Sequence, residues 1–355
     1  MKHLIIHPPH LPRFLVLQYI SLVLLLSSCW HPPFDPEVSA SLVTVDRLGK
    51  PVWEVRTRLP YMARGGYYLP ARDPLHYNQG IWIALDMGQI RLSRFGYDAG
   101  TQNGDVEGFF EFLVGTDMRG LSLFPSVSSP SPMVFYCMLP GSSRWIQINF
   151  DSSSSSTSPD LNDFLGLGFR FGNGSDNLSD TLYIANVKSE SIKLYSKEVN
   201  GDEVNLSGFT PMMGLWPLPP ELPATVSLMA KNPDGALVLS GTLADGSAVS
   251  YRWLNASSTP ERLPLNKSLT GMLSDGRLLA DTGDRLYVYA QDGSSAFAVA
   301  TGALHFSYER YDSANNRWIS VFTRTLEMPV SNSDSWDYLI SIYEIPTSRL
   351  RDLAL

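Results

Sequence analysis

The segment that decides the fold is Pro233-Asp234-Gly235-Ala236-Leu237-Val238-Leu239, a turn followed by a short apolar strand. Two later segments repeat this arrangement: Ser274-Asp275-Gly276 precedes Arg277-Leu278-Leu279-Ala280, and Ala314-Asn315-Asn316 precedes Arg317-Trp318-Ile319-Ser320-Val321-Phe322. Asp-Gly and Asn-Asn tolerate the positive φ of tight turns, so they mark hairpins. The spacing is regular, with 41 residues from Asp234 to Asp275 and 40 from Asp275 to Asn315.

Each repeat also contains a second strand with aromatic side chains at alternate positions, at 247–253, 285–289 and 338–343. A turn with two to four short strands, repeated about every 40 residues, is typical of a β-propeller blade. One small sheet cannot bury both of its faces, whereas blades stacked around an axis cover one another. We therefore predict an all-β chain that forms a β-propeller of about seven four-stranded blades, at 40–45 residues per blade. Residues 42–45 are the predicted strand that closes the ring.

The upstream part of the chain shows the same alternation less regularly. The predicted hairpins are 43–46 with 53–58, 81–85 with 89–95, 109–114 with 121–124, 134–139 with 145–150, and 181–187 with 191–199. Residues 166–172 are rich in glycine and predict a kinked strand. The alternative architecture is two tandem β-sandwiches joined by the serine-rich run 151–158, which in a propeller is expected to be a polar surface loop.

The first 28 residues are typical of a targeting segment. Lys2 and Arg13 precede an apolar run at 14–26, which ends in Leu26-Ser27-Ser28-Cys29. This quartet resembles the lipobox of bacterial lipoprotein precursors. The resemblance implies cleavage between Ser28 and Cys29, acylation of Cys29, and a membrane-anchored protein of the bacterial cell envelope.

The predicted organisation is therefore a lipoprotein signal peptide at 1–28, a proline-rich tether at 29–39, the propeller-like domain at 40–346 and a C-terminal tail at 347–355. Two alternatives stay open for the N-terminal segment. One is an ordinary secretory signal, and the other is an uncleaved membrane helix, although the apolar run is shorter than the ~20 residues that a spanning helix needs.

Charge and cysteine content exclude several function classes. The net charge is −8, and it becomes −10 without residues 1–28, which argues against nucleic-acid binding. The basic segment 47–94 is the exception, for which we expect solvated arginines, with contact to anionic headgroups as the alternative. Cys137 is expected to be a buried thiol in a strand. Because only three histidines follow residue 28, no metal, cofactor or catalytic thiolate is predicted, although Ca²⁺ binding at 98–107 or 200–203 stays open.

No G-x-S-x-G, H-E-x-x-H or P-loop motif is present, and no catalytic residue is predicted. The candidate binding loop is the apolar segment 208–220, with Met212, Met213 and Trp216, which contains too much proline for a helix or a central strand. If exposed, it is a binding patch, whereas if folded over a blade edge it is core.

We therefore expect a non-catalytic binding or scaffold module, held to the membrane by its lipid, with an envelope protein as partner. Lipid-anchored propellers similar to this layout serve as accessory subunits in outer-membrane protein assembly, which is an analogy of fold only. The alternatives are a glycan-directed hydrolase or lyase that uses the propeller channel, and a surface lipoprotein that contacts a host.

Overall fold

A computed structural model describes residues 47–59, 67–86, 89–98, 103–112, 122–127, 133–138, 145–149, 154–157, 163–170, 181–198, 208–232, 234–282, 285–294, 296–300, 304–328 and 336–354. Within these ranges, no helix has the length and apolar character needed to cross a bilayer. The predicted signal peptide, Cys29, the tether and the predicted closing strand at 42–45 all lie outside the described residues.

The described residues form six antiparallel sheets, which follow one another along the chain and are numbered here as blades one to six. The first described strand is β1 (Trp53–Leu59), which belongs to blade six. Blade one contains β2 (Tyr67–Pro70), a 3-10 helix (Pro74–His76), β3 (Gln79–Asp86), β4 (Gln89–Asp98) and β5 (Asn103–Phe112). Blade two contains β6 (Ser122–Val127), β7 (Met133–Met138), β8 (Trp145–Asn149) and β9 (Ser154–Thr157). Blade three contains β10 (Phe164–Arg170), β11 (Thr181–Lys188), β12 (Ser191–Glu198), β13 (Thr210–Pro211) and β14 (Trp216–Pro217).

The other three blades follow in chain order. Blade four contains β15 (Thr225–Lys231), β16 (Leu237–Thr242), β17 (Ala248–Trp253) and β18 (Glu261–Arg262). Blade five contains β19 (Gly271–Met272), β20 (Leu278–Asp281), β21 (Arg285–Tyr289) and β22 (Ala296–Ala300). Blade six contains β23 (Leu304–Asp312), β24 (Arg317–Met328), β25 (Trp336–Pro346) and β1, and a second 3-10 helix (Thr347–Leu353) follows.

The sheets are the blades of a β-propeller, which confirms the predicted fold class. Apart from β1 and β14, the strands of each sheet pair in chain order. The first strands of neighbouring blades contact each other: β10 contacts β15, and β2 contacts β23. The serine-rich run does not link two sandwiches, because β9 is the outer strand of blade two and pairs with β8. Six blades are described where about seven were expected. The 294 residues from Trp53 to Pro346 average 49 per blade, more than the 40–45 assumed.

The repeat found in the sequence is confirmed as the first hairpin of blades four, five and six. The turn residues of the three repeats have positive φ: 99° at Gly235, 83° at Gly276 and 50° at Asn316. The Asp234 carboxylate accepts a hydrogen bond from the Ala236 amide at 3.2 Å, and Asp275 accepts one from the Arg277 amide at 3.1 Å. Aspartate and glycine together therefore set the turn geometry.

The ring is closed by β1, which pairs antiparallel with β25 from Trp53 opposite Ile342 to Leu59 opposite Trp336. The strand predicted at 53–58 is confirmed as β1, whereas its predicted partner at 43–46 lies outside the described residues. Closing a ring requires pairing between distant parts of the chain, which local alternation does not reveal. Before β1, the Arg47 guanidinium donates to the Ala354 carbonyl oxygen at 2.6 Å, so the two ends of the described chain lie together.

Three upstream hairpins are confirmed: β3 with β4, β7 with β8, and β11 with β12, the last turning at Ser189 with φ 51°. The predicted hairpin of 109–114 with 121–124 is wrong, because β5 pairs back on β4 and β6 begins the next blade. A crossover between blades and a hairpin have the same local pattern of apolar residues.

The core lies between neighbouring blades. Leu167 of blade three packs in one cluster with Tyr251 and Trp253 of blade four, and Val288 of blade five packs in another with Phe322 of blade six. The segment predicted as a C-terminal tail contributes to the second cluster, because Leu350 and Leu353 of its 3-10 helix are buried there.

Candidate functional site

The predicted binding loop interrupts the outer strand of blade three. Both β13 and β14 pair with β12, and residues 212–215 between them leave the sheet. The Met212 amide still donates to the Leu194 carbonyl oxygen at 2.9 Å, which fixes one side of the interruption. Proline at 211 and 217 has no N–H to donate, so a continuous outer strand is not favoured here.

The structure separates the three residues predicted for this loop. Met213 is 96% exposed, Met212 is half-buried against the core between blades three and four, and Trp216 is only 4% exposed within that core. Trp216 therefore packs as a core residue, whereas Met213 faces solvent. The proline-rich pattern alone did not distinguish these two environments.

A second loop, which the sequence did not single out, meets this one. Gly214 has φ +92°, and a Cβ built on it would lie 2.4 Å from the Ala256 Cβ, so the Gly214 backbone packs against the methyl group of Ala256. Leu215 is 53% exposed and Leu254 is 60% exposed. We call Met213, Leu215 and Leu254 the rim patch. It contains three of the five large hydrophobic side chains that are exposed in the described part of the chain.

Local hydrogen bonds shape the turn that follows Leu254. The Ser258 hydroxyl donates to the Asn255 carbonyl oxygen at 2.8 Å, and the Asn255 side-chain oxygen accepts from the Ser257 amide at 2.9 Å. On the other side, the Trp253 indole N–H donates to the Pro217 carbonyl oxygen at 2.9 Å and ties blade four to blade three. The exposed apolar side chains of the rim patch are therefore followed along the chain by the hydroxyl and amide groups of residues 255–258.

A different cluster lies at the start of the innermost strands. The rings of Tyr67 on β2 and His305 on β23 stack at 4.6 Å, where blades one and six meet. Burial lowers the pKa of His305, while the negative charge of Asp281, at the end of β20, acts in the opposite direction. The imidazole is therefore held in its neutral form, which can donate or accept a proton.

Metal ligands are not grouped in the described ranges, since no cluster of three or more His, Cys, Asp or Glu side chains occurs there. Asp98 ends β4 and residues 103–107 lie in β5, while 200–203 fall outside the described residues. Cys137 lies in β7, but its side chain is not described, so the buried thiol stays a prediction.

No protein-family model matches this chain, and no curated protein matches it. Solved structures similar to it include a gluconolactonase from Xanthomonas campestris, with 12% identity and a TM-score of 0.39, covering 79% of this chain and 87% of that one. A putative gluconolactonase has 12% identity and a TM-score of 0.39, covering 83% and 95%. BBS1N, solved in complex with ARL6DN, has 10% identity and a TM-score of 0.40, covering 84% and 98%. Similarity this low does not bear on activity.

Proposed function

We propose that this protein is a lipid-anchored, non-catalytic binding module of the bacterial cell envelope, which docks a protein partner on the rim patch. The observation that carries the proposal is the exposure of Met213, Leu215 and Leu254 on two loops that touch through Gly214 and Ala256. Apolar side chains clustered at one place on a surface mark interaction sites more often than scattered ones do.

The energetics of the rim patch suit protein binding. Fully burying one Met or Leu side chain contributes about 1.5–3 kcal/mol. Because the Asn255–Ser258 hydrogen bonds and the buried Trp216 already fix the two loops, little conformational entropy is lost on association. The polar border at 255–258 matches the rim that surrounds hot spots in protein interfaces.

The anchor is tested by Cys29→Ser in cells. Loss of the acylated cysteine should move the protein from the membrane fraction to the soluble fraction, because the lipid chains supply the membrane affinity. Unchanged membrane association of the variant would refute the lipoprotein assignment.

The docking function is tested by co-purification of the acylated protein in mild detergent. A double variant, Met213→Asp with Leu254→Asp, places two charges in the rim patch and should lose the partner. The matched control is Leu75→Asp, on an 86% exposed leucine of blade one. A protein that purifies alone, or that keeps the same partner in all variants, contradicts the proposal.

A glycan-directed hydrolase or lyase is the second candidate, favoured by the stacked pair Tyr67 and His305 at the start of the innermost strands. A neutral imidazole near a carboxylate suits proton transfer, and an aromatic ring suits stacking on a sugar. Cleavage of envelope glycans that disappears in His305→Ala would favour this function over the binding module.

A further inference from the structure

Two cations stand at the ends of neighbouring innermost strands. Arg170 is the last residue of β10 in blade three, and Lys231 is the last residue of β15 in blade four. These two strands contact each other beside the channel. Neither residue belongs to the rim patch or to the Tyr67–His305 cluster.

The two strands approach most closely at Gly168. A Cβ on Gly168 would lie 2.3 Å from the Met229 carbonyl oxygen and 3.1 Å from the Met229 side chain, so the glycine permits this approach and Met229 points toward β10. Side chains two residues apart on a strand share a face. Arg170 follows Gly168 by two residues and Lys231 follows Met229 by two, so each cation extends toward the other strand.

The pair lacks compensating charge within the part of the chain that the structure describes. No ion pair joins either cation to a described carboxylate, and the buried Nε of Arg170 has no hydrogen-bond partner. Burial lowers the pKa of Lys231, and the positive charge of Arg170 lowers it further. Two half-buried positive charges side by side are unfavourable unless an anion joins them.

We propose that Arg170 and Lys231 form a binding site for an oxyanion, a phosphate or carboxylate group, at the end of the channel where β10 and β15 finish. The planar guanidinium can bind two oxygens at once, while the ammonium acts as a point charge. Binding supplies an acceptor to the Nε of Arg170 and removes the repulsion between the cations. This site is independent of the lipid anchor and of the partner proposed for the rim patch.

Thermal unfolding of the full chain in inorganic phosphate and in chloride, at equal ionic strength, tests the site. Phosphate should raise the Tm of the wild type more than chloride does. Arg170→Met and Lys231→Met should each weaken phosphate binding about tenfold or more, because each removes a charged hydrogen bond. Lys193→Met is the matched control in blade three and should keep the phosphate effect.

A second readout does not depend on phosphate. In its absence, Lys231→Met should be at least as stable as the wild type, because the repulsion from Arg170 is gone. Citrate in place of phosphate separates the two sources of oxyanion, and stabilisation by either one supports the site. Equal Tm shifts in the wild type and all variants, or no shift in the wild type, overturn the proposal.

Discussion

Tyr77 donates its phenolic hydrogen to the Glu344 carboxylate, and so joins blade one to blade six. The Arg310 guanidinium donates to the same carboxylate, and its Nη2 lies 2.8 Å from each of the two carboxylate oxygens. Nearby, the Tyr308 hydroxyl donates to the Ala71 carbonyl oxygen. The seam where the ring closes is therefore fastened by side chains as well as by the pairing of β1 with β25. Burial and the Glu344 charge raise the pKa of Tyr77, so its hydroxyl stays protonated and remains a donor.

The seam predicts a cost for removing one hydroxyl. Tyr77→Phe should lower the free energy of unfolding by about 1.5–3 kcal/mol, because the buried Tyr77 side chain loses a hydrogen bond to a charged acceptor. Tyr311→Phe is the control, since the Tyr311 hydroxyl bonds Asn316 in an exposed turn. Urea unfolding measures the free energy of unfolding of both variants. Equal losses of this free energy would show that the Tyr77 hydrogen bond stabilises the fold no more than one in an exposed turn.

The two environments in the binding loop predict opposite results for its apolar residues. Trp216→Ala should destabilise the fold by about 3–5 kcal/mol, because it leaves a cavity between blades three and four. Met213→Ala should change stability by less than about 0.5 kcal/mol, since its side chain is exposed. Denaturant unfolding of the two variants distinguishes them, and a large loss for Met213→Ala would place that residue in the core.

Gly214 predicts a specific coupling between the two loops of the rim patch. Gly214→Ala introduces both strain at positive φ and a clash with Ala256, whereas Gly246→Ala, at φ +84° with open space around it, introduces strain alone. Strain in this region costs about 1 kcal/mol, so Gly214→Ala should be the more destabilising. Ala256→Gly should restore part of the loss in the double variant. If it restores none, the loops do not touch.

The buried carboxyl of Glu309 predicts a pH dependence of stability. Glu309 accepts from the Ser274 amide at 2.6 Å and from the Ser274 hydroxyl at 2.9 Å, and burial raises its pKa from 4.5 to about 7. Between these values the folded state holds a proton that the unfolded state releases, so stability falls as pH rises through this window.

At about 1.4 kcal/mol per pKa unit, the wild type should lose up to about 3 kcal/mol across the window relative to Glu309→Gln. Unfolding free energies of both proteins, measured as a function of pH, check this difference. Curves that stay parallel would show that Glu309 titrates at its ordinary value.

The sequence predicted those parts of the fold that depend on local chemistry. Asp234-Gly235 and Asp275-Gly276 set their own turn geometry, so the repeat and its hairpins could be predicted from the sequence. The partner strand of β1 could not be predicted, because pairing Trp53 with Ile342 brings together residues that are distant along the chain. The number of described blades differs from the predicted seven because the blades vary in length. Blade three, for example, is lengthened by the interruption between β13 and β14 in its outer strand.

The candidate site was predictable only in part. The apolar, proline-rich composition of 208–220 identified the loop, but the exposure of Met213 and the burial of Trp216 depend on packing against blade four. Leu254 could not be identified from the sequence, because a single leucine after a strand is common. The contact between its loop and the Met213 loop, through Ala256 and Gly214, depends on the tertiary fold. The Arg170 and Lys231 pair likewise exists only because β10 and β15 are neighbours in the ring.

Photo-crosslinking from the rim patch in living cells tests the central claim most directly. A photoreactive side chain at position 213 should give one discrete product with an envelope protein, and the same side chain at position 75 should not give that product. Both positions are highly exposed, at 96% and 86%, so accessibility alone does not separate them. The same products from both positions, or none from position 213, would contradict the assignment of the rim patch as a docking site.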